Sequence, residues 1–171
     1  SVDMGACIAL LAAYQEKRGV KLSYNDIMAK AIAVASRKFP LVNARYEDGE
    51  VRIYRHTNIG LAVALEGALV VPVVREIAEK GLEQIAGEYK QQIKKAREGK
   101  LAPADMGCGS ITISNLGMYD VDQFIAIVNP PESCILAVGS IRVEPVWGGN
   151  DFRPVHRMSV TGSFDHRIID G

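Results

Sequence analysis

The chain has 171 residues, a length that suits a single domain, because a chain of about 150 residues can bury about 70% of the surface it exposes when unfolded. Apolar residues make up 48% and 20 basic side chains balance 20 acidic ones, which excludes disorder and disfavours binding to nucleic acid or to anionic membranes. No apolar run approaches the roughly 20 residues of a membrane span, and no charged-then-apolar leader opens the chain. The cysteines are odd in number and widely spaced, without a C-x-x-C pair, which predicts a reducing, intracellular compartment and no metal site (Cys7, Cys108 and Cys134).

Three segments have the apolar spacing of helices. The first, residues 3–17, is expected to end at Gly19. The second begins after Ser23, which stands three residues before Asp26 in an N-cap arrangement, and its apolar stripe predicts a mostly buried helix. The third, residues 82–98, is amphipathic with its basic side chains late, which predicts a helix packed on other elements.

The other segments are short β-type runs separated by turn residues. Before the third helix they are VNARY, VRIYR, NIGLAVAL and ALVVPVVR, and after it SITISN, FIAIVN, CILAVGSIRVEPVW and RMSVTGSFD. Helices interspersed with hairpins predict an α+β architecture, with a mixed β-sheet flanked by helices. No repeat or low-complexity linker divides the chain, so residues 1–171 are interpreted as one domain.

The chain has three histidines, and a lone histidine is most often a surface or structural residue. His56 and His156 keep that interpretation. His166 differs, because it follows an alternating strand in the segment SFDHRIIDG and lies between Asp165 and Asp170. Two carboxylates beside one imidazole form an ionisable cluster, although charged residues at a strand end are usually just solvated.

The segment TISNLG is a second candidate site. Ser114 ends an apolar strand, and Gly117 permits an unusual backbone angle. An ordinary strand-to-loop turn would have the same sequence. A hydroxyl at a strand end can also be held rigidly enough to donate a hydrogen bond to a developing oxyanion.

Together these two segments resemble the motifs of a known family. It resembles the catalytic domain of the dihydrolipoyl acyltransferases, the core component of 2-oxo acid dehydrogenase complexes, which has the two-layer chloramphenicol acetyltransferase-like fold. The matching segments occur in the family's order over nearly the whole chain, and include VKLSYNDIMAKAIAVASRKFPLVNA, KGLEQIAGEYKQQIKKAREGKL, SITISNLGM, FIAIVNPPESCILAVGSI and SFDHRIIDG.

The resemblance implies roles for three residues. His166, in the D-H-R-x-x-D-G motif, would be the general base, Ser114 would stabilise the tetrahedral intermediate, and Asp170 would mainly help to hold the site together. A thiol of pKa about 8.5 is mostly protonated at neutral pH, and an imidazole of pKa about 6.5 can accept its proton. The implied reaction is acyl transfer between dihydrolipoamide and coenzyme A. Acetyl is the acyl group favoured, although succinyl and branched-chain transferases share these motifs.

The resemblance also implies an assembly. Family members form homotrimers that build larger cores, with the histidine of one subunit and the serine of its neighbour in each site. Expected partners are a lipoyl domain and the decarboxylase and dihydrolipoamide dehydrogenase components, in the cytoplasm of a prokaryote or in the mitochondrial matrix. Coenzyme A and the lipoyl group would be substrates, and no lipoyl-attachment segment is present in these residues.

Some features depart from the family pattern. Family domains begin earlier and continue past D-G into a helix, so we expect this chain to be trimmed at both ends. Asp120 stands where relatives commonly have glycine, and Glu76 follows V-V-R where Asn or Asp is usual. Neither change removes a proposed catalytic group.

Two other functions compete with acyl transfer. A non-catalytic scaffold subunit of the same complexes is one, and the presence of both His166 and Ser114 argues against it. A serine hydrolase is the other, but G-x-S-x-G is absent. Cys108 is expected to be an incidental loop thiol, and Cys134 to pack in the core.

Overall fold

The computed structural model describes residues 1–170 and has three helices and one large mixed sheet. The helices are α1 (Gly5–Arg18), α2 (Tyr24–Ser36) and α3 (Leu82–Arg97). The six sheet strands are β1 (Val2–Asp3), β4 (Ile59–Leu61), β7 (Val73–Val74), β8 (Ile111–Asn115), β9 (Cys134–Trp147) and β10 (Phe152–Phe164). Two separate hairpins are formed by β2 (Ala44–Glu47) with β3 (Glu50–Ile53) and by β5 (Val63–Leu65) with β6 (Ala68–Val70).

The sheet has the strand order β1-β10-β9-β8-β4-β7. The pairs β8–β9 and β4–β8 are parallel, whereas β1–β10, β9–β10 and β4–β7 are antiparallel. The predicted mixed sheet is therefore confirmed. Its longest pair, β9 with β10, extends far beyond the other strands as a two-stranded ribbon.

One apolar core joins the sheet to α2 and α3. Ala29 and Ala33 of α2 and Ile85 and Tyr89 of α3 belong to it, and the strands contribute residues that include Ile59, Ile111, Ile113 and Val138. The small alanines let α2 approach the sheet closely, and the larger α3 residues fill the remaining space. No helix among the described residues is long and apolar enough to cross a bilayer.

The local signals of the second helix act as the sequence predicts. The Ser23 side chain accepts a hydrogen bond from the Asp26 backbone N–H, and the Asp26 carboxylate accepts one from the Ser23 N–H. The expectation that α2 is mostly buried is wrong, however. Only four of its residues are buried, and Val34 on the opposite face is 52% exposed, so α2 is buried along one stripe.

The first helix starts later than predicted. Val2 and Asp3 pair with β10 as an edge strand, and Met4 precedes the helix, whose end at Gly19 is confirmed by a left-handed φ of 65°. The apolar runs 58–65 and 68–75 were each expected to be one strand, and each is two. Pro72 interrupts the second run because proline cannot donate a ladder hydrogen bond.

The predicted strand FIAIVN is wrong, because no strand of residues 1–170 pairs with residues 124–129. The segment keeps the alternation of a strand: Phe124, Ala126 and Val128 are half-buried, whereas Ile125 and Ile127 are 80% and 91% exposed. Each neighbour of β8 and β9 in the sheet is already another strand. The segment therefore cannot insert between these central strands, and it does not pair with the edge strands β1 or β7.

Candidate active site

Ser114 lies near the end of β8, beside Ala137 of β9. The turn that follows it is held by Asn115, whose side-chain amide donates to Asn25 Oδ1 at 2.7 Å and whose Oδ1 accepts from the Gly117 N–H at 2.8 Å. Asn25 is in the first turn of α2. The turn after Ser114 is thus tied to the N-terminus of that helix.

A small cavity of about 150 Å³ opens beside Ser114. Its walls include Met118 and Tyr119 from the loop after β8 and Ile93 and Arg97 from the end of α3. A substrate atom that reached the Ser114 hydroxyl would therefore enter between α3 and this loop.

A close backbone crossing fixes the loop that carries Met118. Residues 117–122 pass over β9 at Gly139, where an added Cβ would lie 1.9 Å from the Asp122 carbonyl oxygen. Arg142 forms ion pairs with both Asp120 and Asp122. Asp120 has a left-handed φ of 62°, a backbone angle that glycine adopts most readily.

His166 lies in the turn that follows β10. The turn is anchored at its start, where the Asp165 N–H donates to the Ser133 carbonyl at 2.8 Å, and later by the burial of Ile168. The His166 side chain is 83% exposed. The imidazole is therefore accessible to a substrate although the backbone that carries it is fixed.

Asp165 and Arg167, on either side of the histidine, bind each other. The Arg167 guanidinium donates to both Asp165 carboxylate oxygens, at 2.6 to 3.2 Å, and the Arg167 N–H donates to Asp165 Oδ1 at 3.0 Å. The hydrogen bonds from the Arg167 side chain hold the pKa of Asp165 below its usual value. Asp165 therefore stays ionised, and its carboxylate stabilises the backbone of the turn by accepting the Arg167 N–H.

Asp170 contacts His166 only loosely. Its Oδ1 is 3.7 Å from His166 Nδ1, and its side chain is 92% exposed. This distance is too long for a hydrogen bond.

Ser114 and His166 are far apart within one chain. Ser114 lies beside Ala137 on β9, whereas Phe164, two residues before His166, pairs with Cys134 at the start of β9. Three residues along a strand and two strand spacings across the sheet separate the backbones of Ser114 and Phe164 by roughly 14 Å, and His166 lies two residues beyond Phe164. The structure does not bring the two proposed catalytic groups together in a single chain.

A larger cleft of about 670 Å³ lies between α2 and α3. Its lining includes the apolar Leu61 and Ile93. Four cations and two carboxylates also line it: Lys21, Lys90, Lys94, Arg97, Asp26 and Glu98. Ile93 and Arg97 line both this cleft and the Ser114 cavity. The two cavities are therefore adjacent along the end of α3.

The sequence interpretation placed Asn115 in the candidate segment without a role, and it missed Asn25 and the cleft cations. The cluster of Lys and Arg residues late in α3 was a signal for these cations, but it was interpreted only as charge that stabilises a helix end. The expectation that Cys134 packs in the core is confirmed. Cys134 is buried, and burial raises the pKa of its thiol to about 12. Among residues 1–170, no group of three His, Cys, Asp or Glu side chains could hold a metal ion.

Comparison with known proteins gives consistent matches. The family model described as 2-oxoacid dehydrogenases acyltransferase (catalytic domain) matches residues 1–171. The dihydrolipoyllysine-residue acetyltransferase component of the pyruvate dehydrogenase complex from Rickettsia bellii is 40% identical over 158 residues, which cover 92% of this chain and 38% of that protein. Component 2 of the mitochondrial enzyme from Arabidopsis thaliana is 43% identical over 165 residues, which cover 94% and 31%. The chain thus spans less than two fifths of the length of these relatives.

Solved structures agree with the sequence relatives. Azotobacter vinelandii dihydrolipoamide acetyltransferase superposes with a TM-score of 0.93 at 36% identity, covering 99% of this chain and 72% of the other. The cubic core of a pyruvate dehydrogenase multienzyme complex gives 0.93 at 34% identity with the same coverage. Chloramphenicol acetyltransferase, at 19% identity and a TM-score of 0.56, shares the fold, as expected; its match covers 99% of this chain and 77% of that one. This chain belongs to the catalytic-domain family of the 2-oxoacid dehydrogenase acyltransferases.

Proposed function

We propose that the protein transfers an acetyl group between dihydrolipoamide and coenzyme A, with His166 as general base and Ser114 as oxyanion donor. One observation carries the proposal. The A. vinelandii acetyltransferase structure concerns the catalytic roles of a serine, a histidine and an asparagine, separated by 52 and 4 residues. Ser114, His166 and Asp170 have the same two intervals in this chain.

The proposed reaction needs no covalent enzyme intermediate. The imidazole of His166 accepts the proton of the attacking thiol, and the thiolate adds to the thioester carbonyl. The Ser114 hydroxyl donates a hydrogen bond to the oxyanion of the tetrahedral intermediate. Collapse of the intermediate breaks the old C–S bond, and the departing thiolate takes the proton back from His166. The exposure of His166 supports this role, since the thiol must reach it.

Asp170 takes a supporting role in this proposal. It occupies the interval at which the A. vinelandii protein has its asparagine. A carboxylate and a carboxamide both present an acceptor oxygen of similar reach. We therefore assign Asp170 to holding the site together and not to proton transfer.

The active site is proposed to form between subunits of a homotrimer. The separation of Ser114 and His166 supports this arrangement, because one chain alone cannot present both to one substrate. The unpaired FIAIVN segment supports it as well, since Ile125 and Ile127 offer an apolar, strand-like edge to a neighbouring copy. The relative with a cubic core makes a larger assembly of trimers the natural extension.

The cleft between α2 and α3 is proposed to hold the phosphate-bearing part of coenzyme A. Its four lining cations outnumber its two carboxylates, which suits the phosphates, and its adjacency to the Ser114 cavity suits a ligand whose thiol must reach that residue. Of these cations, Lys90 is exposed and has no ion pair among the described residues. It offers its full charge to a ligand.

We expect Lys90→Glu to raise the KM for coenzyme A about fivefold at low ionic strength, because it replaces an attraction to phosphate by a repulsion. The kcat at saturating coenzyme A should change little, and the difference in KM should shrink as salt is added. Lys38→Glu is the matched control, since Lys38 is an exposed lysine outside this cleft. An equal KM increase in both variants would contradict the assignment of the cleft.

The remaining components are proposed by analogy with the relatives. A lipoyl domain would deliver the acyl group, and the decarboxylase and dihydrolipoamide dehydrogenase components would complete the complex. The relatives include a Rickettsia protein and mitochondrial plant proteins. We therefore propose a prokaryotic cytoplasm or the mitochondrial matrix as the compartment.

An acetyl-transfer assay tests the proposal. Full-length, assembled protein is given acetyl-CoA and free dihydrolipoamide, and release of coenzyme A and formation of S-acetyldihydrolipoamide are followed together. We expect equal amounts of both products. Release of coenzyme A without acetylated acceptor would favour a hydrolase, and binding of coenzyme A without turnover would favour the non-catalytic scaffold.

A further inference from the structure

The β2–β3 hairpin contacts the turn that carries His166. The hairpin does not belong to the six-stranded sheet, and all four residues of β3 are exposed. It therefore contributes little to the apolar core. Its inner strand, β2, instead faces the segment before β9: the Tyr46 N–H donates to the Pro131 carbonyl at 3.0 Å, and the Ala44 carbonyl accepts from the Ser133 N–H at 3.1 Å.

A second contact joins the hairpin to the turn directly. The Arg167 guanidinium lies over the ring of Tyr46, 4.1 Å from the ring centroid. The same guanidinium is bound by both carboxylate oxygens of Asp165, whose side chain is only 13% exposed. The plane of Arg167 is thus fixed on its edge by Asp165 and on its face by Tyr46.

These contacts anchor the residues on both sides of His166. The residue before it is held through the Asp165 N–H to Ser133, and the residue after it is held through the Arg167 side chain to Tyr46. Ser133 is itself hydrogen-bonded to the hairpin at Ala44. Both anchors of the histidine therefore lead to the same hairpin.

We infer that Tyr46 is a positioning residue for His166, acting through the Tyr46–Arg167–Asp165 stack. The imidazole is exposed, and among residues 1–170 it forms no hydrogen bond and one ion-pair contact, at 3.7 Å with Asp170, so its placement depends on the backbone of the turn. An error of about 1 Å in the position of a catalytic group can cost about 100-fold in rate. This inference rests on the proposed role of His166 as general base.

The test compares Tyr46→Leu with Tyr46→Phe in the full-length, assembled protein. We expect Tyr46→Leu to lower kcat about tenfold, with the KM values for coenzyme A and dihydrolipoamide unchanged, because substrate binding does not involve the stack. Tyr46→Phe keeps the ring face and should keep the wild-type kcat. Tyr54→Leu is a further control, since it removes a tyrosine next to the same hairpin that does not contact Arg167.

A double-mutant cycle separates positioning from general loss of structure. Arg167→Lys keeps the charge but loses the planar fork to Asp165, and should lower kcat to a similar extent. In the double variant Tyr46→Leu/Arg167→Lys the losses should not multiply, because both remove one stack. Arg167→Lys leaves the Tyr46 side chain and the hairpin's backbone hydrogen bonds to Pro131 and Ser133 in place, so it decides the question if Tyr46→Leu does not fold.

A wild-type kcat in Tyr46→Leu or in Arg167→Lys would overturn the inference. So would a double variant in which the two losses of kcat multiply fully. If His166→Ala is inactive, both results would leave the proposed mechanism intact. A fully active His166→Ala variant would overturn the proposed function and this inference together.

Discussion

Replacement of His166 by alanine is expected to lower kcat for acetyl transfer about 100- to 10,000-fold, the range that general acid–base catalysis contributes. At neutral pH the attacking thiol is mostly protonated, and the variant has no group at this position to accept its proton. The KM for acetyl-CoA should stay close to that of the wild type, because the lost interaction belongs to the transition state. Steady-state kinetics with both substrates varied would measure the two effects separately.

His156→Ala is the matched control for this experiment. His156 lies on β10, on the ribbon that projects from the sheet, and its side chain is exposed like that of His166. We expect this variant to keep wild-type kinetics. Normal turnover by His166→Ala would contradict the mechanism.

The helices were largely predictable from the sequence because their signals are local. The Ser23–Asp26 capping box and the left-handed Gly19 each depend on a few neighbouring residues, and both act as predicted. How much of α2 is buried could not be predicted from local sequence. Whether the outer face of α2 is covered depends on what packs against it, and Val34 stays exposed in this chain although its sequence context is apolar.

The strands were predicted less accurately, since a strand needs a partner that the sequence does not name. FIAIVN has the alternation of a strand but no partner among residues 1–170, whereas the two residues of β7 form a strand because β4 lies beside them. A segment with this alternation could pair as a strand with another subunit. We therefore propose this segment as a place where a second chain would pair.

The candidate site was predictable only in its reacting groups. His166 and Ser114 stand in distinctive motifs, but their supports come from distant parts of the chain. Tyr46 contacts Arg167 from 121 residues away, and the buried Glu132 accepts a hydrogen bond from Thr112 Oγ1 at 2.5 Å. Burial raises the pKa of Glu132, an effect that no local pattern around that residue indicates.

Ser114→Ala is the second large effect we expect, with kcat lowered about 100- to 1,000-fold, or about 2.7 to 4 kcal/mol of transition-state stabilisation. The alanine keeps the strand and removes only the hydroxyl that would donate to the oxyanion. Ser163→Ala is the matched control, because Ser163 also lies near the end of a sheet strand but is absent from the walls of the Ser114 cavity. Equal losses in both variants would contradict the oxyanion role of Ser114.

Mixing the two inactive variants tests whether the site forms between subunits. In randomly mixed trimers of equal amounts of His166→Ala and Ser114→Ala chains, about a quarter of the interfaces would combine an intact histidine with an intact serine from the neighbour. Activity should therefore recover to about a quarter of the wild type after the chains are dissociated and reassembled together, and not when they are reassembled separately. If each site were formed within one chain, every chain would lack one group and mixing would restore nothing. The physical reason to expect recovery is that, in the single chain, Ser114 lies on β8 whereas His166 follows the end of β10, two strands away.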